Sequence, residues 1–146
     1  MKIGICSDHA GVERKTGIIS YLLGKGFEVV NFGTDSTDSC DYPDYAHPLA
    51  EAVEKGDVDC GIAFCGTGNG MAMTLNKHAG VRAALVWAPA LARLAKQHNN
   101  ANVLVMPARF ITLRMSMLCI RAWMGSEFEG GRHERRISKM PVNPAE

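Results

Sequence analysis

The sequence predicts an α/β protein in which a five-stranded parallel sheet is covered by helices on both faces. Two observations carry this. Five short apolar runs alternate with stretches of helical periodicity along the chain. Polar and glycine-rich segments follow the apolar runs directly, as at the carboxyl ends of parallel strands.

Lys2–Cys6 is a short apolar run closed by Ser7-Asp8 and reads as a buried strand. Over Val12–Lys25, the residues Val12, Lys15, Ile18, Ile19, Leu22 and Leu23 recur at helical spacing, and Gly24 and Gly26 end the helix. Glu28–Phe32 is a second strand, and the Ser-, Asp- and Thr-rich stretch Thr34–Pro43 is a loop. Asp44–Lys55 is a helix with Tyr45, Leu49, Ala52 and Val53 on its apolar side and Pro48 near its first turn. Cys60–Phe64 is a third strand, followed at once by the loop CGTGNG and a short helix over Met71–Asn76. Val81–Val86 is a fourth strand, and Ala88–His98 is a helix with Pro89 in its first turn. Asn102–Met106 is a fifth strand. Thr112–Met124 is a helix that turns Leu113, Met117, Ile120 and Trp123 or Met124 inwards. A basic, partly helical tail follows Gly130-Gly131, with frayed ends at Pro141 and Pro144. Right-handed crossovers between such strands give a Rossmann-like, three-layer α/β/α sandwich.

With 146 residues, the chain fits a single domain of roughly 150 residues, in which residues 126–146 form a basic C-terminal arm. Sixteen basic and fifteen acidic residues leave a net charge of +1. A chain so balanced has no overall bias towards nucleic acid or membranes, and any anion must be held locally. The apolar start is too short for a signal peptide, and no run of about 18 apolar residues exists. The five cysteines, at 6, 40, 60, 65 and 119, form no CxxC pair. Their odd number points to reduced thiols and a cytoplasmic protein. No two histidines have metal-ligand spacing, so neither a metal nor another cofactor is expected.

The loop Cys65-Gly66-Thr67-Gly68-Asn69-Gly70 is the most informative stretch. Three alternate glycines let backbone N–H groups converge at a helix N-terminus, which suits a phosphate or a negative charge that develops during a reaction. The alternative is a tight turn that needs glycine for packing. A P-loop would need GK[ST], and the dinucleotide fingerprint would need Gly at 71, where Met stands. Cys65, beside that helix N-terminus, is expected to have a lowered pKa and to serve as nucleophile or base. Cys6, Cys60 and Cys119 read as core filling, and Cys40 as a loop thiol.

Other strand ends add polar groups. Asp8 is a natural N-cap, and His9 beside it can donate to a phosphate or a sugar hydroxyl. His98 ends a helix, where the dipole alone also favours histidine. His47 and His78 read as surface or turn residues. Arg132 and Arg136, four apart, share a face if the tail is helical, and two guanidinium groups on one face match a phosphate dianion. Arg109 is a third candidate for that anion. The plainer alternative is a solvated basic tail.

With these residues in hand, the chain resembles the type B ribose-5-phosphate isomerase family, which also includes galactose-6-phosphate isomerase subunits. The matching stretches are SDHAG (7–11), GT (33–34), DYPDYA (41–46), VDCGI (58–62), CGTGNG (65–70), NK (76–77), GVRAA (80–84), QHNNANVL (97–104) and FEGGRHERR (128–136). The resemblance implies a homodimer or homotetramer with active sites shared between subunits. It implies Cys65 as the base that moves a proton between two carbons, Gly66–Gly70 (Gly66, Gly68, Asn69 and Gly70 among them) as the enediolate hole, and Thr67 as a proton carrier at the oxygens. His98, helped by Asp8, would open the furanose ring, and Tyr42 and Asn99 would line the sugar site. His9, Arg109, Arg132 and Arg136 would hold the phosphate, some of them from the neighbouring subunit. Position 69 departs from the family in being Asn where an apolar residue is expected.

The expected activity is the interconversion of ribose 5-phosphate and ribulose 5-phosphate. A hexose-phosphate isomerase, acting on allose 6-phosphate or galactose 6-phosphate, is the alternative within the family. A non-catalytic sugar-phosphate sensor on the same fold is the alternative outside it.

Overall fold

The structure, a computed structural model, describes residues 1–142, so Pro144 lies outside the described residues. Five parallel strands, β1 (Lys2–Ser7), β2 (Glu28–Asn31), β3 (Cys60–Cys65), β4 (Ala83–Leu85) and β5 (Val103–Pro107), form one sheet in the order β2-β1-β3-β5-β4. The three inner strands are the most apolar, and β1, β3 and β5 are buried almost throughout. The edge strands β2 and β4 are shorter and only partly buried. The fourth strand is half as long as its apolar run predicts, because residues 81, 82 and 86 lie outside the ladder.

The helices are α1 (Val12–Gly24), α2 (Pro43–Lys55), α3 (Asn69–Leu75), α4 (Pro89–Asn99), α5 (Leu113–Met124) and α6 (Arg132–Ile137), with a 3-10 turn over His9–Gly11. Alternate strand residues feed two cores. Ile3, Ile5, Ile62, Phe64, Leu104 and Met106 face α1, α4 and α5, where Ile18, Leu22, Ala92, Ile120 and Trp123 meet them. Cys6, Ala63, Val103 and Val105 face α2 and α3, where Leu49, Ala50, Met71 and Leu75 meet them. The fold is therefore the three-layer arrangement that the periodicity predicts.

Close packing sets the seat of α2. Gly4 and Gly61 are register partners in neighbouring strands. A Cβ on either would meet the Leu49 side chain, at 2.6 Å for Gly4 and 3.1 Å for Gly61. Leu49 thus fills a notch made by two absent side chains, and α2 lies close on the sheet. Small residues complete that face: Ala46, Ala50 and Ala52 are buried, and the predicted Tyr45 and Val53 pack only at its border. Helix α5 differs in the same way. Its buried positions are Ser116, Cys119, Ile120 and Trp123, and Leu113, Met117 and Met124 pack against the core from the side. Leu23 of α1 points outwards.

Lys15 is the unusual member of the α1 stripe, since its side chain is fully buried. Its ammonium donates to Asn31 Oδ1 at 2.8 Å and to Asp35 Oδ1 at 2.5 Å. Asn31 in turn donates to the same Asp35 oxygen and accepts from the Gly33 amide. One buried cation thereby ties the end of β2 and the following loop to α1. Burial pushes the Cys60 and Cys119 thiols up to about 11 and raises that of Cys6, so all three stay protonated at neutral pH, as core filling requires. Among the described residues, no helix is long and apolar enough to cross a membrane.

Candidate functional site

The polar residues gather at two separate edges of the sheet. The first group stands at the carboxyl ends of the strands, where open parallel sheets place their sites. Asp8 follows β1 and is buried, and its carboxylate accepts from the Ala10 amide at 2.9 Å. His9 stands beside it. Its Nδ1 accepts from the Cys40 backbone N–H at 3.3 Å and lies 3.8 Å from the Cys40 sulfur. That contact leaves the proton of the neutral ring on Nε2, free to donate. Asp8, His9, Cys40, Asp41, Tyr42, Pro43 and Asp44 line an open cavity of about 500 Å³.

Cys65 is the last residue of β3 and is buried. Its Sγ accepts from the Gly68 N–H at 3.2 Å. Gly68 adopts φ 81°, a left-handed conformation that turns the chain into α3. Burial raises the Cys65 thiol above its ordinary value, and the amides of Met71, Gly68 and Thr67 pull the other way. The expected lowering is therefore corrected: the amides are in place, but desolvation outweighs them in the single chain. Helix α3 starts earlier than predicted, so Asn69 and Gly70 form its first turn. The Thr67 hydroxyl accepts from the Asn69 amide at 3.3 Å, and both side chains are exposed.

Two further side chains close on this loop. A Cβ at Gly70 would overlap the Tyr42 ring, which comes from the N-cap of α2. A Cβ at Gly66 would stand 3.1 Å from an Arg109 guanidinium nitrogen. Arg109 is held by its own amide, which donates to the Gly66 carbonyl at 3.1 Å. Asp8, His9, Tyr42, Cys65–Gly70 and Arg109 thus belong to one edge.

The second group stands at the opposite edge. Helix α4 starts after β4 and runs back across the sheet, so its last residues, His98 and Asn99, reach the amino ends of the strands. The Glu129 amide donates to the Gln97 carbonyl at 3.0 Å and carries the tail to the same place. Helix α6 then sets Arg132 and Arg136 there, both exposed. The His98 and His133 rings stack at 4.3 Å with a 10° tilt, and Glu129 Oε1 lies 3.7 Å from His98 Nε2. Desolvation, with His98 and Arg132 nearby, holds His133 below the usual imidazole range.

Eleven residues of α4 span about 16 Å, roughly the length of the strands. Within one chain, His98 therefore does not meet Asp8, and Arg132 and Arg136 do not meet His9 and Arg109. Sequence reasoning named residues of both edges and missed three neighbours. Cys40 reads as a loop thiol, yet its amide donates to His9 Nδ1 and orients that ring. Glu129 and His133 lie in the motif FEGGRHERR, of which the sequence marks only Arg132 and Arg136 as candidates.

Comparison with known proteins points to one family. Residues 3–140 match the Ribose/Galactose Isomerase family. Ribose-5-phosphate isomerase B of Escherichia coli K12 is 43% identical over 136 residues, covering 93% of this chain and 91% of that protein. A solved ribose 5-phosphate isomerase from Thermotoga maritima superposes with a TM-score of 0.93 at 48% identity, covering 94% of this chain and 95% of its own. Ribose-5-phosphate isomerase B from Mycoplasma genitalium, solved with bound ribulose-5-phosphate, gives 0.91 at 45% identity, covering 95% and 93%. Similarity of this depth reaches both polar edges and every strand between them, and the chain belongs to the ribose/galactose isomerase family.

Proposed function

We propose that the chain interconverts ribose 5-phosphate and ribulose 5-phosphate through an enediolate, with Cys65 as the general base. The observation that carries this is the Cys65 sulfur at the end of β3, faced by the loop amides. The relative solved with ribulose-5-phosphate supports the choice of sugar.

In the reaction, the Cys65 thiolate takes the proton from C2 of the open-chain aldose. The C–H electron pair forms the C1–C2 double bond, and the carbonyl pair moves onto O1. Amides of Gly66–Gly70 hold the developing negative charge. The Thr67 hydroxyl passes a proton between O1 and O2, and the Cys65 thiol returns its proton to C1 to give the ketose. A base with a pKa above neutrality is a strong acceptor, and the three amides keep its anion accessible.

The remaining roles need a second copy of the chain. Ring opening by His98 with Asp8, sugar contacts from Asn99 with Tyr42, and a phosphate held by His9, Arg109, Arg132 and Arg136 each combine residues from opposite edges. A second molecule that docks its amino edge against the carboxyl edge of the first brings them together. Exposed apolar side chains suit such docking, among them Trp87, Leu91 and Leu94 near α4, and Phe110 beside Arg109. The protein is then a homodimer, or a homotetramer built from such pairs, with complementary half-sites on each copy.

The test is a coupled assay of ribose 5-phosphate with a chelator present, run beside allose 6-phosphate and galactose 6-phosphate. Turnover of the pentose is expected. Turnover of a hexose phosphate alone would move the substrate and direct attention to the exposed Asn69 side chain. Silence on all three, with binding retained, would establish a sensor.

A further inference from the structure

The geometry points to a reversible site for a first-row divalent transition-metal ion formed by His98, Glu129 and His133. Among the described residues, these three place one ligand atom each within 4.8 Å of the others. None of them is expected as a metal ligand from sequence spacing, because they come from the end of α4, the tail and α6. The fold brings them together through the Glu129 amide on Gln97 and the contact of α6 with α4.

The donor set selects the ion. Two imidazoles and one carboxylate suit zinc, cobalt or nickel, whereas calcium and magnesium prefer oxygen alone. Bonds of about 2.0–2.1 Å to a tetrahedral ion put neighbouring donor atoms about 3.4 Å apart. The Glu129 Oε1 to His98 Nε2 distance of 3.7 Å is already near that value. The His98 and His133 rings stack nearly parallel, which keeps the two imidazoles adjacent, and binding one ion requires one ring to turn out of the stack so that both lone pairs converge. Three protein ligands leave a fourth position for water or an anion, the open arrangement rather than the closed structural one. Arg132 and Arg136 stand on the same short helix as His133. Their charge opposes a bare dication and keeps the site reversible.

The ion and the sugar then compete. His98 is the imidazole assigned above to ring opening, and a bound ion withdraws its lone pair. Inhibition by the metal follows, a consequence that rests on that assignment. The site itself does not.

Cobalt(II) is the probe, titrated into untagged full-length protein near neutral pH and followed by visible absorption. We expect one equivalent per chain to saturate a spectrum of nitrogen and oxygen ligation, with no sulfur-to-cobalt band. Loss of an outer-shell partner of a metal ligand already costs about tenfold to a hundredfold, so Glu129→Gln and His133→Ala should each weaken binding at least that much. Measured against each protein's own metal-free turnover, cobalt should inhibit the wild-type enzyme at least tenfold more strongly than Glu129→Gln. A sulfur band would put the ion on a cysteine and overturn the site. So would equal affinity in both variants, or the absence of saturable binding. Inactivity on ribose 5-phosphate with a normal cobalt spectrum would remove the proposed activity and leave the metal site standing.

Discussion

At the scale of the residue, the loop after β3 is built around one sulfur atom. The Gly68 amide donates to Cys65 Sγ, and burial opposes ionisation of the same thiol. Cys65→Ala removes the proposed base at the end of a strand without disturbing the ladder. Isomerisation should fall by about three orders of magnitude or more, while the circular dichroism spectrum stays unchanged. Turnover within tenfold of wild type would assign the proton transfer to another group. Gly70→Ala tests the seat of Tyr42, because the added Cβ overlaps the Tyr42 ring. Displacing the ring should raise KM more than it lowers kcat, a split that steady-state kinetics reads directly. Glycine is legible in the sequence here, but its reason is not: the Tyr42 ring comes from a segment 28 positions earlier, and only the fold shows that the two touch.

At the scale of the element, two polar ties hold helices in place. Lys15 joins α1 to the end of β2 through Asn31 and Asp35. On the other face, Glu54 of α2 accepts from the Gly80 amide at 3.0 Å and pairs with His78 Nδ1 at 2.8 Å, and His78 Nε2 meets His47 Nδ1 at 2.7 Å. The hydrogen bond from Lys15 holds the Asp35 carboxyl below its ordinary range, and the Gly80 amide does the same for Glu54. A carboxyl depressed by folding contributes stability above its unfolded pKa of about 4 and loses it as pH falls through the lower folded value. The thermal midpoint should therefore drop below about pH 4. Asp35→Asn should lower the midpoint at neutral pH and shrink that acid decline. The expected cost is about 1–2 kcal/mol, because the lysine is buried but Asp35 is largely exposed. An unchanged midpoint would mean that Asn31 alone satisfies the ammonium. The elements themselves were legible because apolar periodicity marks strands and helices locally. Their inner faces were less so. Tyr45 gave way to Ala46 and Ala50, since Leu49 seated over Gly4 and Gly61 leaves room only for small neighbours.

At the scale of the whole molecule, direction decides what can meet. Every strand runs the same way, so α4 must run back, and His98 ends on the far side from Cys65. The sequence names the candidate residues of both edges, since motifs are local. It does not show that a helix of 11 residues keeps them apart, since that depends on chain direction in three dimensions. Mixing two inactive variants tests the proposed two-copy site. In a heterodimer of Cys65→Ala with His98→Ala, one site carries both lesions and the other carries none. A random re-association of equal amounts should recover about a quarter of wild-type activity. Recovery of none, with heterodimers present, would show that each chain completes its own site.

The separation of the two edges also has a genetic consequence. If, as proposed, the chain offers one half-site at each end, its gene can be duplicated and each copy can then lose a different half. Neither product would work with itself, yet the pair would retain one intact site. Selection on the pair would free the abandoned edges to drift, towards another sugar or towards no sugar at all. A fold that keeps His98 a helix length from Cys65 is in this sense already prepared to become two proteins.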